Sequence, residues 1–419
     1  MLGPRNISHN ELSFPFKKNA LDYLIVYIAY AMGGIYFFYL KAPPKIYFFL
    51  FLLIVALNKR IQLRDAKLAF LFLILFGIFY TQKIIYGRGT LSNFLGMIIN
   101  LANAYLIIKI VNKKFFYLLI NVVYVFAIIG LVFWILENVS SAFNNSIQPL
   151  VGILGTDPSE QQESLILFAY EPNFSLDGLV RRNNGGFWEP GAYVTTLVPA
   201  YFFSLTIYGF KNIKSIVILI ATFTTFSTTG ILALFVILFY YIMISPKINK
   251  KAKFGIFLVL LVSASVSFFS FDFLFEKIAK EIQYADSREL TDGTDGRFSG
   301  LKKAIYSVQQ HPFIGKDFIT LKGEEIDYFA KDYVGYGWMM LLAKIGVFFF
   351  SWYLLINLKF YRRFFNANIP LFKGSILFIL PFLAQYILLF GQALYNVPLF
   401  DIFFLLPLLY KSEAAYKLI

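Results

Sequence analysis

The stretch FFYLLINVVYVFAIIGLVFWIL, Phe115 to Leu136, decides the fold class. It holds no charged residue, and a bilayer crossing needs roughly 20 largely apolar residues. Lys113 and Lys114 precede it; Glu137 and Asn138 follow it. Other stretches read the same way. Before it come Leu21–Leu40, Lys45–Leu57, Leu68–Ile85 and Leu91–Ile110. After it come Ala192–Tyr208, Ile213–Thr225, Thr229–Ile244, Phe254–Phe271, Tyr336–Leu358, Ile369–Phe390 and Pro398–Tyr410. The second, seventh and eighth of the series are short. An open sheet edge cannot be satisfied in lipid, so all are expected to be helices. The expectation is an all-α, polytopic integral membrane protein, with about 12 transmembrane helices in one membrane domain over residues 1–419.

Composition agrees. The chain is 58% hydrophobic and only 15% charged, where a soluble domain is about a quarter charged. A net charge of +14 would suggest nucleic acid in a soluble protein. Here short basic cytoplasmic loops account for it, and no nucleic-acid partner is expected. There is no cysteine, which removes disulfides, thiolate metal sites and cysteine nucleophiles. His9 and His311 are the only histidines, which removes a multi-histidine metal site. No metal and no cofactor are expected. Residues Met1 to Ala20 show no small-residue cleavage pattern, so no cleavable signal is expected.

Lys and Arg set orientation. With the N-terminus in the cytoplasm and strict alternation, every inside connection is basic, as at Lys59-Arg60, Lys113-Lys114, Lys250-Lys251 and Arg362-Arg363. The short outside loops hold only Lys41, Lys45, Lys83 and Arg88. The positive-inside rule then predicts both termini in the cytoplasm. Two long polar segments fall on the outer face: Glu137 to Pro190 (137–190) and Asp272 to Gly335 (272–335). Loops of that length are uncommon unless functional, and two on one side point to a composite outer site. Phe298, Leu301, Ile305 and Val308 mark a short helix in the second, which Pro312 ends near Gln310.

Four constellations could carry chemistry. The first loop ends in Arg181-Arg182-Asn183-Asn184-Gly185-Gly186-Phe187-Trp188-Glu189-Pro190. An Arg fork matches phosphate oxygens bidentately, Gly185 allows close backbone approach, and a helix N-terminus favours an anion. Glu189 is either a general base toward a sugar hydroxyl or an electrostatic helix cap; the residues alone favour neither. The second constellation is Arg297 with His311-Pro312-Phe313-Ile314-Gly315. One unbroken helix over Arg297 to Gln310 would hold its ends roughly 20 Å apart, so only one of Arg297 and His311 would reach a single small group. The third is the acidic run Asp286, Glu289, Asp292 and Asp295, which lacks the bidentate Glu of a calcium loop and reads as turns. The fourth is charge at membrane depth, Lys344 and Asp401, functional by default.

The order and sidedness of three motifs resemble the O-antigen polymerase and O-antigen ligase superfamily of bacterial envelope glycosyltransferases. They are Arg182-x-x-Gly185-x-Phe187-x-Glu189-Pro190, Ser227-Thr228-Thr229-Gly230, and Arg297…His311-Pro312-x-x-Gly315. The resemblance covers most of the chain after Phe115. It implies a multi-pass protein of the bacterial inner membrane. The donor would be an undecaprenyl-pyrophosphate-linked oligosaccharide, extended on the periplasmic face by metal-independent glycosyl transfer. Arg182 and Arg297 would hold the pyrophosphate and Arg181 would assist; Glu189 or His311 would be the base. The implied substrate-binding set is Arg181, Arg182, Gly185, Trp188, Arg297 and Lys344. Membrane lipids are implied partners, with a chain-length regulator protein as a further one. Many members carry an Arg where this chain has Ser-Thr-Thr-Gly, so no phosphate contact is implied there. The alternative within the superfamily is the ligase that moves polysaccharide to lipid A–core. The alternative outside it is a transporter or flippase, which predicts repeat symmetry and polar residues strung along the midplane.

Overall fold

A computed structural model describes residues 19–35, 42–86, 91–140, 180–246, 251–255, 308–315, 337–369, 372–392 and 397–410, with isolated positions between them. The described residues are mostly helical, and eleven α-helices are bounded among them. They are α1 (Ala20–Ala31), α2 (Ala42–Asn58), α3 (Ala66–Tyr86), α4 (Leu91–Val111), α5 (Phe115–Val139), α6 (Pro190–Tyr208), α7 (Ile213–Thr224), α8 (Thr228–Ile244), α9 (Gly337–Asn368), α10 (Ile379–Phe390) and α11 (Pro398–Leu409). Three segments are long and apolar enough to cross a membrane: Ala66–Ile85, Phe94–Val139 and Leu341–Asn368. The second is two helices. Asn112 takes φ 55, and the tighter turn Asn112–Lys114 separates α4 from α5. The expected span Phe254–Phe271 lies largely outside the described residues.

Several elements differ from the expected boundaries: α9 runs on to Asn368 where Leu358 was expected, and α10 begins at Ile379 where Ile369 was expected. The first span was expected to reach Leu40, but α1 stops at Ala31 and a turn runs through Gly33 and Gly34. A Cβ on Gly34 would collide with the Phe187 ring, so the glycine opens the seat for that side chain. The first loop also carries two short strand pairs. Glu163–Ser164 pairs with Ala169–Tyr170, and Ser175–Leu176 pairs with Val180–Arg181, both antiparallel.

The centre of the bundle is α6. It is apolar on every face, the pattern of a helix with no solvent side, and nearly all its residues are buried against α5, α7, α8 and α10. Gly230 lets α8 approach it, since a Cβ there would lie 2.6 Å from Val194. The second enclosed helix is α11, packed on α4 and α9. Aromatic rings fill the core between them: Phe203 lies 5.3 Å from Phe364 and 5.9 Å from Phe403. By contrast, α3 shows Phe70, Leu73, Phe76, Tyr80 and Ile84 on its exposed surface, as a helix at the lipid boundary would.

Side-chain pairing sorts the helix ends into two sets. One end is basic. Asp22 at the start of α1 accepts Lys59 at 3.2 Å and Lys114 at 3.1 Å. Lys109 meets Asp65 at 3.7 Å, Lys67 donates to the Leu409 carbonyl at 2.9 Å, and Arg363 donates to the carbonyls of Pro407 and Tyr410 at 3.0 and 2.8 Å. The opposite end gathers the last turns of α1, α3, α5 and α7 with the first turns of α6, α8 and α9. Replacing Asp22 with Ala removes a buried acceptor from two half-exposed lysines, and charged hydrogen bonds are worth about 1.5–3 kcal/mol each. Asp22→Ala is therefore expected to lower the midpoint of thermal unfolding in detergent by several degrees, with membrane insertion unchanged.

Candidate functional site

The segment Arg181–Pro190 is threaded over the non-basic end of the bundle and tied to four helix ends. Arg181 closes the β-ribbon and anchors to α5. Its guanidinium meets Glu137 at 2.8 Å, its amide donates to Asn138 Oδ1 at 2.7 Å, and its carbonyl accepts the Trp134 indole N–H at 2.6 Å. Arg182 turns the other way, onto the end of α7. Its Nε donates to the Thr225 carbonyl at 3.0 Å and its terminal nitrogen to the Phe226 carbonyl at 3.2 Å. A cation on the last carbonyls of a helix opposes the negative end of the helix dipole. Phe226 sits at φ 47, an unusual conformation for a side chain that is not glycine, and the Arg182 bond holds its carbonyl there. These two bonds fix the plane of the guanidinium.

Asn183 is fully buried and stitches the segment to the same turn. Its amide N–H bonds the Thr224 carbonyl at 3.0 Å, its side-chain nitrogen donates to Thr224 Oγ1 at 2.9 Å, and its Oδ1 accepts the Gly185 N–H at 2.9 Å. Gly185 is required twice over. It stands at φ 53, where a Cβ is strained, and that Cβ would lie 2.6 Å from the Tyr193 ring. Gly185→Ala is expected to displace the Arg182 segment and to lower the midpoint of thermal unfolding in detergent by several degrees, a cost of about 1–3 kcal/mol being usual at strained backbone positions.

Phe187 plugs the bundle between Tyr30, 5.0 Å away edge-on, and Tyr193, 5.3 Å away. The Trp188 amide donates to the Gly34 carbonyl at 2.9 Å, and its partly buried ring packs against the core. Glu189 is the N-cap residue of α6 by its backbone, φ −152 and ψ 159, and its side chain makes no capping hydrogen bond. The backbone carbonyl does the capping work instead, accepting Ala192 N–H and Tyr193 N–H at 3.1 Å each. The two readings open for Glu189, general base and electrostatic helix cap, both stay open: the residue is partly buried at the mouth of the helix, and its side chain makes no capping hydrogen bond. Next to it the first turn of α8 is capped by Ser227 Oγ, 3.4 Å from the Gly230 N–H and 3.2 Å from Thr229 Oγ1.

The second group of predicted residues gathers on α9 and α3. The helix α9 is broken at Gly346, φ 73 and ψ 171. The turn His311–Gly315 fills the break. Pro312 offers its carbonyl to Val347 N–H at 2.8 Å, and Gly315, φ 67, lies against the backbone of Ala343 and Lys344 so closely that a Cβ would overlap it. Lys344 is buried at this junction, and His311, at the start of the turn, is partly buried. The structure thus brings together Arg181, Arg182, Gly185, Trp188 and Glu189 on α1, α5, α6, α7 and α8. It brings the His311 turn to the Lys344 backbone on α9. Both groups occupy one end of the bundle, held by different helices. Arg297 lies outside the described residues. Asp401 is buried in the first turn of α11, within electrostatic range of Lys45. Among the described residues no three His, Asp or Glu side chains converge on a metal site.

The sequence reading passed over Gln82, which is fully buried where α3 meets α9. A lone amide in an apolar span is a signal of its own, since polar groups at membrane depth are expensive.

The deciding comparison is with known families. Residues 214–340 match the O-antigen ligase family. That match supports membership of the O-antigen ligase and polymerase superfamily, the group whose motifs the chain resembles. Members of the O-antigen ligase family are membrane enzymes of glycosyl transfer, and the matched segment runs from the start of α7 to the first turn of α9. It includes the α7–α8 turn that Arg182 grips and the His311–Gly315 turn. No curated protein and no solved structure shows a significant match.

Proposed function

We propose that this protein is a polymerase that joins undecaprenyl-pyrophosphate-linked oligosaccharide repeat units, of O-antigen or of capsule or exopolysaccharide, by metal-independent glycosyl transfer. The observation that carries the reading is the Arg182 segment: it is built onto the family-matched α7–α8 turn, beside the first turns of α6 and α8. In this reading the bundle has about 12 spans, the basic end faces the cytoplasm with both termini, and the site faces the periplasm of an inner membrane. Basic short loops on one side are the sign of that orientation.

The reaction asks three things of the site. The bond between the anomeric carbon and the diphosphate breaks, and the leaving diphosphate gathers negative charge. Fixed cations are the means of stabilising it, which is the role of Arg182 and Arg297, with Lys344 as a further contact. Arg181 holds the segment in place through Glu137. An acceptor sugar hydroxyl forms the new bond and gives up its proton to Glu189 or His311. Trp188 and Gly185 shape the floor under the sugar. A chain-length regulator and membrane lipids are the partners this reading adds.

The ligase reading is favoured by the description of the matched family itself. A deletion strain separates the two. Single repeats on the lipid A–core with no ladder identify a polymerase; unattached polymer identifies a ligase. Transport of substrate in proteoliposomes without any glycosidic product would overturn both.

A further inference from the structure

The break in α9 frees backbone groups that a continuous helix would pair. In a bilayer each such group costs several kcal/mol unless something else satisfies it. Two partners do so here. The Val347 N–H goes to Pro312 of the second loop, as described. The Lys344 carbonyl goes to Gln82, whose Nε2 donates to it at 2.7 Å. The same Nε2 donates to the Ile314 carbonyl at 2.6 Å. One buried amide on α3 therefore holds two carbonyls from two segments, the loop turn and the broken helix. Phe313 and Phe348 stack outside this junction with ring centres 5.5 Å apart, both largely exposed.

We propose that Gln82 is a positioning residue, a clamp that docks the His311–Gly315 turn onto the break at Gly346 and so sets where His311 and Lys344 stand. The inference rests on the reading above, in which those two residues serve the reaction. The clamp reaches in from α3, a helix that otherwise presents much of its surface to lipid. With the clamp closed, the turn and α9 move as one body. Without it, the turn keeps the Pro312 bond, the Phe stack and the packing of Gly315 on the α9 backbone.

The chain has no cysteine, so the docking can be read directly. Phe313→Cys with Phe348→Cys, treated in membranes with a short bis-thiol reagent, reports whether the turn is seated, and needs no substrate. Adding Gln82→Leu is expected to slow this crosslink about tenfold, the scale of a lost buried hydrogen bond, and to reduce polymer by a similar factor. Gln82→Asn, one methylene shorter, is expected to fall between. Crosslinking the Gln82→Leu chain is expected to restore polymer, because the covalent bridge replaces the clamp; a merely destabilised chain would not be rescued. An unchanged crosslinking rate in Gln82→Leu overturns the clamp. Slow crosslinking with full polymer yield overturns the positioning role and leaves the enzyme reading standing. A wild-type chain that forms no glycosidic bond overturns the enzyme reading, while the crosslinking rates still decide the clamp.

Discussion

Arg182→Ala is expected to abolish polymer, lowering product by at least about 100-fold, the usual loss when one preorganised charge-stabilising donor is removed from an active site. The geometry gives two reasons. The guanidinium is held in one plane by the Thr225 and Phe226 carbonyls, so its charge is already placed before substrate arrives. Its loss also releases the α7–α8 turn, including the Phe226 conformation that the bond supports. Arg182→Lys tests the plane against the charge. An ammonium keeps the charge but cannot reproduce a planar fork, so it is expected to restore little. The measurement is the length distribution of surface polysaccharide in a deletion strain carrying each variant, normalised to protein in the membrane. Full-length polymer from Arg182→Ala at normal protein levels would refute the assignment.

The second large effect is expected at Glu189. Glu189→Gln keeps size and shape and removes the negative charge together with the ability to take a proton. General-base contributions run to about 10²–10⁴ in rate, so product is expected to fall by at least about 100-fold. The decisive companion measurement is stability. A side-chain cap lost to substitution costs about 0.5–2 kcal/mol, but the Glu189 side chain makes no capping hydrogen bond and the backbone carbonyl already serves Ala192 and Tyr193. Unfolding temperature in detergent is therefore expected to stay put while activity collapses. A parallel fall of both would return Glu189 to the role of a structural helix terminus. His311→Gln, measured alongside, tells which of the two residues takes the proton.

Much of the architecture was legible in particular residues. Phe115 to Leu136 could only be a helix in lipid, and α5 runs from Phe115 to Val139. The basic short loops foretold which helix ends would lie together, and the Asp22, Asp65 and Arg363 contacts gather them at one end. The superfamily resemblance was legible in Arg182, Gly185, Phe187 and Glu189 and in His311-Pro312-x-x-Gly315, and the family match overlaps its second half. Boundaries were read less well where one residue makes room for another distant in sequence. The first span was drawn to Leu40 because nothing local shows that Phe187 needs the space at Gly34. The break in α9 at Gly346 was missed because its partner, the Pro312 turn, lies more than thirty residues away.

The sequence by itself determined the solvent of this protein, its helical class and the residue types available for chemistry, because hydropathy and charge are summed locally and a bilayer tolerates few alternatives. Tertiary structure alone decided which of those residues are committed to holding the fold and in what plane they stand. Arg181 and Arg182 are neighbours of identical charge, yet one pairs with a buried carboxylate on α5 and the other grips the carbonyls of α7. A hydrogen bond is directional and short-ranged, so its partner is set by how the helices pack, and no local pattern encodes it.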